Sequence, residues 1–429
     1  MPQRERSLPG LRTVLGLVGF RRLLWVRLTG QFADGLLQVG LASFVFFSPE
    51  RAATPSRVAL GFAVLLLPFS LVGPFAGVLL DRWSRRQVLV VANLVRGAGI
   101  AGIAVLIGTG QDALELYVLA LSVLGVNRFV LAALGASLPH VVPADRLVTA
   151  NAIAPTAGTA MTFVAAGLGI AASAALGGGD AGDATVVAAA AVVCVLATSL
   201  ATRLGRTQLG PDIQVRLSAR SAVADVAAGF VAGLRHIRSR RPAARGLIVM
   251  GGHRFLFGLA TVLGIVLFRN TFHSGDPDAA LTALGLSLAF GGAGAVVGAV
   301  LTPGATRRLG STRWICGLLV LAAVDIAGLV TPFREPLFLV ASLLIGLVAQ
   351  GVKVSIDAIL QATVDDEYRG RVFTLYDLVF NAMFVVAGLV ASLTLPVDGR
   401  STLMAGSIAV GYTLLAVWYA RNGRTETAK

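Results

Sequence analysis

The chain has 429 residues, 56% hydrophobic and only 14% charged, with a mean hydropathy of +0.80 and a net charge of +14. A soluble protein of this length exposes far more polar surface, so that class is excluded and a polytopic membrane protein remains. Two cysteines, Cys194 and Cys316, both in apolar stretches, exclude a disulfide framework and a Cys/His metal cluster, so neither metal nor cofactor is expected.

The N-terminal tail, MPQRERSLPGLRTVLGLVGFRR, has no apolar core followed by a small-residue cleavage site, so the first span is expected to serve as the targeting element. Twelve stretches are long and apolar enough to cross a bilayer, and strand alternation is absent. Span 1, near 22–47, carries Arg27, Gln31, Asp34 and Gln38 on one helical stripe. Arg27 lies near the membrane edge and can snorkel, whereas Asp34 is at mid-span and cannot. Span 2, near 57–80, runs into the loop GVLLDRWSRRQVL, which begins at Gly77 and holds Asp81, Arg82, Arg85 and Arg86. A carboxylate at Asp81 can accept from the next helix N-terminus and pair with these arginines. Arg96 in span 3, near 88–109, is assigned to the same loop network. Span 4, near 115–138, carries Asn127 and Arg128, with Gly135 beyond. Span 5, near 150–175, is rich in small residues suited to close packing, and span 6 lies near 184–203.

A polar stretch from about 203 to 245 separates the halves. Within it, Val223, Val226, Phe230, Leu234 and Ile237 recur at helical spacing, which predicts a helix on the cytoplasmic membrane surface or a soluble linker helix. Span 7, near 246–269, carries His253 and Arg254. Span 8 lies near 279–302. Span 9, near 313–332, holds Asp325, for which the sequence offers no partner. Span 10, near 335–360, presents Gln350, Lys353 and Asp357 on one face. Lys353 and Asp357 are one helical turn apart and can neutralise each other. Span 11, near 372–395, holds Asp377 and Asn381, expected to meet Arg369 or Arg371. Span 12 lies near 401–420.

The basic residues fix an orientation. With both termini in the cytoplasm, the inside segments hold 26 of the 36 Lys and Arg and the outside loops five. The positive charge is therefore topological and faces anionic lipid, which argues against nucleic acid as a partner.

The halves repeat. GVLLDRWSRRQVL from Gly77 is echoed by GAVLTPGATRRLGSTRW from Gly298, and LPHVVPADRLVTAN from Leu138 by LQATVDDEYRGRVF from Leu360. Two six-helix repeats joined by a basic loop mark a common transporter plan. On these motifs the chain resembles the major facilitator superfamily over nearly its whole length. Gly77, Asp81, Arg82, Arg85 and Arg86 match the family signature between helices 2 and 3, except that Ser84 stands where glycine is usual. DDEYRGRVF at 365–373 and PADRLVTANA at 143–152 resemble the subgroup of enterobactin exporters and macrolide or multidrug efflux proteins.

The resemblance implies an all-α membrane protein with twelve transmembrane helices in two pseudo-symmetric six-helix bundles, residues 1–204 and 245–429, joined by a cytoplasmic linker at 205–244. It implies that the loop arginines latch one conformation. It also implies that helices 1, 4, 7 and 10 line a central cavity. There Gln31, Asp34, Asn127, Arg128, Arg254, Lys353 and Asp357 would handle substrate and protons, with an Asp34–Arg254 contact as one arrangement. Two acids against three bases fit an anionic or zwitterionic substrate, or proton exchange. Val164-Ala165-Ala166-Gly167 departs from the family's antiporter motif in helix 5. The expected activity is secondary transport, with proton-coupled export of a drug or secreted metabolite leading. A uniporter or importer and a non-transporting sensor are the alternatives. The expected setting is the bacterial cytoplasmic membrane, the expected state a monomer, and the expected partners a small-molecule substrate, protons and lipid. No HExxH, GxSxG or Walker loop is present, so an enzyme is not expected.

Overall fold

The computed structural model describes residues 13–44, 83–111, 114–143, 146–205, 208–210 and 219–423. Predicted span 2, with Gly77, Asp81 and Arg82, lies outside the described residues. Within them there are helices and no strand. In chain order these are α1 (Val18–Ala42), α2 (Arg85–Gly108), α3 (Leu114–Val141), α4 (Leu147–Ala175), α5 (Gly179–Thr202), α6 (Ala219–Ser239), α7 (Arg241–Leu267), α8 (Pro277–Leu309), α9 (Ser311–Asp325), α10 (Glu335–Thr363), α11 (Asp366–Thr394) and α12 (Thr402–Gly423). Thus α1 is predicted span 1, α2 to α5 are spans 3 to 6, α6 is the linker helix, and α7 to α12 are spans 7 to 12.

Ten of these helices are long and apolar enough to cross a membrane. The stripe of Arg27, Gln31, Asp34 and Gln38 keeps α1 out of that set, although its 25 residues suffice in length. Local chemistry sets several boundaries. The Asp276 side chain accepts from the Ala279 N–H at 2.9 Å, capping α8, and prolines occupy the first turns of α7, α8 and α10. Gly310, at φ +81°, makes the turn from α8 into α9, a conformation that costs a side-chain-bearing residue. Helices α7 and α9 each end in one π-helical turn, Phe268–Phe272 and Ile326–Val330.

The described helices before residue 227 form one compact unit and those after it a second. In the first, α1 packs on α4 and α5, α2 on α3 and α5. In the second, α7 packs on α11 and α12, α9 on α10 and α12, and α8 on α10. Span 1 against spans 5 and 6 thus corresponds to span 7 against 11 and 12, and span 3 against 4 and 6 to span 9 against 10 and 12. Glycines allow the tightest approaches: a methyl on Gly35 would overlap the Thr162 carbonyl of α4, and one on Gly294 the Leu343 carbonyl of α10. Large apolar side chains such as Val300, Leu393 and Leu403 point outward, as a lipid-facing surface requires.

The linker prediction resolves into a docked helix. Gly233 of α6 lies against Leu375 and Arg371 of α11, and His236 stacks on Tyr368 with ring centroids 4.3 Å apart. Just beyond α6, Arg240 donates to both oxygens of Asp365 at 2.9 and 2.7 Å. Part of the DDEYRGRVF segment therefore grips the linker helix.

Candidate functional site

In the first unit the polar stripe of α1 is occupied. Arg27 donates through Nε to Gln31 Oε1, one turn on, at 3.2 Å. The Gln31 amide lies over Gly158 of α4, where a side chain would overlap it, and Thr162 Oγ1 donates to the Gln31 carbonyl at 3.2 Å. One turn deeper, Asp34 is 4% exposed and both its oxygens are taken. Oδ1 accepts from Arg96 Nη2 in a short ion pair, and Oδ2 accepts from Asn127 Nδ2 at 3.0 Å. The fully buried Arg96 also donates through Nη1 to Asn93 Oδ1 at 2.9 Å, and Asn93 donates to the Leu89 carbonyl at 2.7 Å. Arg128 adds a second positive charge within electrostatic range of Asp34.

This arrangement corrects one sequence assignment. Arg96 does not serve the loop after span 2: it is the ion-pair partner of Asp34, and with Asn127 it ties α1, α2 and α3 together. A buried charge needs such compensation, or it costs several kcal/mol, roughly, inside a bilayer.

In the second unit the predicted polar residues line an aromatic stripe that the sequence did not advertise. Phe373, Tyr376, Phe380 and Phe384 follow one face of α11, with successive ring centroids 6.0 Å apart for the first pair and 6.2 Å for the second. Arg254 of α7 lies over this stripe: its guanidinium carbon is 3.8 Å from the Phe380 centroid, 4.7 Å from Phe384 and 5.4 Å from Phe257. Its Nε donates to the Phe380 carbonyl at 3.2 Å. Lys353 of α10 pairs with Asp357 at 2.6 Å, as the one-turn spacing predicts, and its Nζ is 5.9 Å from the Tyr376 centroid. That pair is partly exposed, with Lys353 at 39% and Asp357 at 25%, unlike the closed Asp34 pair. The buried His253, beside Arg254 in sequence, meets the Tyr412 hydroxyl at 3.2 Å. Asn381 turns back to its own helix, donating to the Asp377 carbonyl at 2.8 Å, and the Arg369 side chain expected near it lies outside the described residues.

Of the residues expected to form a latch, Arg85 and Arg86 are described, and both hold backbone carbonyls. Arg85 Nη1 donates to the carbonyls of Ala136 and Leu209 at 2.9 and 3.0 Å. Arg86 donates to those of Leu204 and Thr202 at 2.7 and 2.9 Å. Arg86 thus holds carbonyls at and just after the C-terminal end of α5, where the helix leaves them unpaired and the dipole favours a cation, while Arg85 joins α3 to the segment that follows α5.

Comparison with known proteins agrees with this architecture. The Major Facilitator Superfamily model matches residues 28–388. MFS-type transporters of Mycobacterium tuberculosis and Mycobacterium bovis are each 39% identical over 396 residues, covering 91% of this chain and 88% of theirs. Among solved structures, a nucleoside transporter superposes with a TM-score of 0.68 at 13% identity, over 95% of this chain and 99% of its own. A POT family transporter in complex with a thioalcohol-conjugated peptide gives 0.70 at 10% identity, over 95% and 96%. At those identities the likeness is one of fold.

Proposed function

The chain belongs to the Major Facilitator Superfamily, and from that premise we propose that it exports a small molecule across the bacterial cytoplasmic membrane in exchange for protons, by alternating access. As a member it is a multi-pass membrane transporter and not an enzyme. The cargo assigned is a drug or secreted metabolite, supported by the likeness of 365–373 and 143–152 to exporters of that kind. The protein works as a monomer in lipid, with both termini cytoplasmic, and needs no nucleic acid or cofactor. Gly77, Asp81, Arg82, Arg85 and Arg86 form its conformational latch.

The observation that carries the coupling is Asp34. A single acid at the middle of α1 is buried and joined to two other helices of its unit. A proton on Asp34 cancels its charge, leaves Arg96 without its counterion and loosens three helices together. That differential between two states is what a coupling ion needs, since a ligand binding both states equally drives nothing. The same closed geometry supports a second reading: a permanent structural pair, in a uniporter, an importer of an anionic or zwitterionic metabolite, or a sensor.

Accumulation of dyes, antibiotics and siderophores in efflux-deficient cells separates the two. The cells express wild type, Asp34→Asn, or Asp34→Asn with Arg96→Gln, at matched membrane levels, with and without a protonophore. Coupled export lowers accumulation with wild type only, and the protonophore abolishes the difference. Equal export by wild type and the doubly neutral variant removes Asp34 from coupling.

A further inference from the structure

Arg254 is a cation without a carboxylate partner among the described residues. Its Nε is bound to the Phe380 carbonyl, three phenylalanine rings cover its plane, and its two Nη groups make no hydrogen bond there. Arginine cannot shed its charge as lysine can. Ring faces stabilise the plane of a guanidinium but leave its in-plane donors unused, and those donors match the two oxygens of a carboxylate. Lys353, 5.9 Å from the Tyr376 ring of the stripe, is paired with Asp357. The Arg254 guanidinium, with no carboxylate bonded to it among the described residues, therefore stands beside a run of rings at helical spacing.

We propose that this face of the second unit binds an amphipathic anion: a carboxylate or similar oxyanion held by the Nη groups of Arg254, with a flat ring packed along the partly exposed Phe373 and Phe380. The partly exposed Lys353–Asp357 pair flanks the same stripe, and the Lys353 ammonium has donors beyond the one given to Asp357 for a second anionic group. This assignment of a substrate class rests on the transporter reading above, but its test does not require transport.

The test is titration of the purified full-length protein in lipid nanodiscs with three matched probes: 2-naphthoate, neutral 2-naphthalenemethanol and cationic 2-naphthylmethylammonium. Naphthoate is expected to bind wild type at least about tenfold more tightly than the other two. Arg254→Gln is expected to weaken naphthoate by roughly 10- to 100-fold, the range for losing a hydrogen bond to a charged group, while leaving the neutral probe unchanged. Arg254→Lys retains part of the preference, and Phe380→Leu weakens all three probes. Arg254→Lys keeps the charge, so it serves where the glutamine variant fails to fold. Equal or tighter binding of the cation, no binding of naphthoate, or naphthoate binding indifferent to both Arg254 variants overturns the site. Naphthoate binding with no export of any compound would leave the site standing and remove the exporter reading. Export with no anion preference would do the reverse.

Discussion

Two buried aspartates in this chain have opposite surroundings. Asp34 gives both oxygens to Arg96 and Asn127, whereas both oxygens of Asp325, 2% exposed in α9, lack a hydrogen-bond partner among the described residues. Neutralising one member of a buried pair strands the other charge, which costs about 3–5 kcal/mol. Asp34→Asn is therefore expected to lower unfolding stability by that order, and Arg96→Gln added to it to recover much of the loss. Asp325→Asn strands nothing and should cost less than about 1 kcal/mol. Thermal unfolding of wild type, Asp34→Asn, Arg96→Gln, the double variant and Asp325→Asn in one detergent checks this. A loss for Asp325→Asn as large as that for Asp34→Asn would refute the distinction, as would strict additivity of the Asp34 and Arg96 changes. The sequence made Asp34 legible by its depth alone. It misplaced Arg96 because a basic residue shortly after an arginine-rich loop reads as part of that loop. Nothing in the linear pattern says that α2 turns this residue inward to α1.

Elements were easier to read than their contacts. Ten described spans lie where long apolar runs predicted them, since about 20 apolar residues in a row have few other uses. The observed helices outrun those predictions at their polar ends, as α10 does by continuing to Thr363 and α11 by starting at Asp366, because hydropathy marks the bilayer and not the end of helical backbone. The aromatic stripe on α11 escaped notice for a related reason: phenylalanine within an apolar run is an ordinary lipid or core residue until a cation is found above it. Close packing was anticipated for span 5 from its small residues, yet α8 against α10 is equally intimate. Gly294 and Gly298 face the carbonyls of Leu343 and Leu347, and Gly346 faces that of Gly291. Gly294→Ala must push two backbones apart and is expected to cost about 1–3 kcal/mol as overpacking. Gly304, in the same helix with open space at its Cβ position, should tolerate alanine or gain about 0.4–1 kcal/mol. Unfolding midpoints of the two variants in one detergent would rank them, and equal effects would mean that the α8–α10 seam is looser than described.

At the scale of the whole molecule, orientation is set by where the arginines fall, because the apolar spans are indifferent to direction. The turn between α8 and α9 holds Arg307, Arg308 and Arg313 within seven residues. The turn between α7 and α8 instead carries His273, Asp276 and Asp278 beside one arginine, Arg269. Basic short loops stay on the cytoplasmic side, so these two turns should lie on opposite faces of the membrane, only one helix apart. Neither native cysteine is in a disulfide, Cys194 is buried and Cys316 partly so, and alanine at each gives a background for single reporters. In that background, Ser274→Cys should react with a membrane-impermeant maleimide on intact cells. Ser311→Cys should react only after the cells are opened. The α8 helix between them has 33 residues, about 50 Å at 1.5 Å per residue, which spans the hydrocarbon core and both interfaces. Labelling of both sites from outside would contradict a span at α8. Labelling of Ser311→Cys alone would invert the topology, and with it the assignment of the Arg85–Arg86 latch to the cytoplasmic face and of export as the direction of transport.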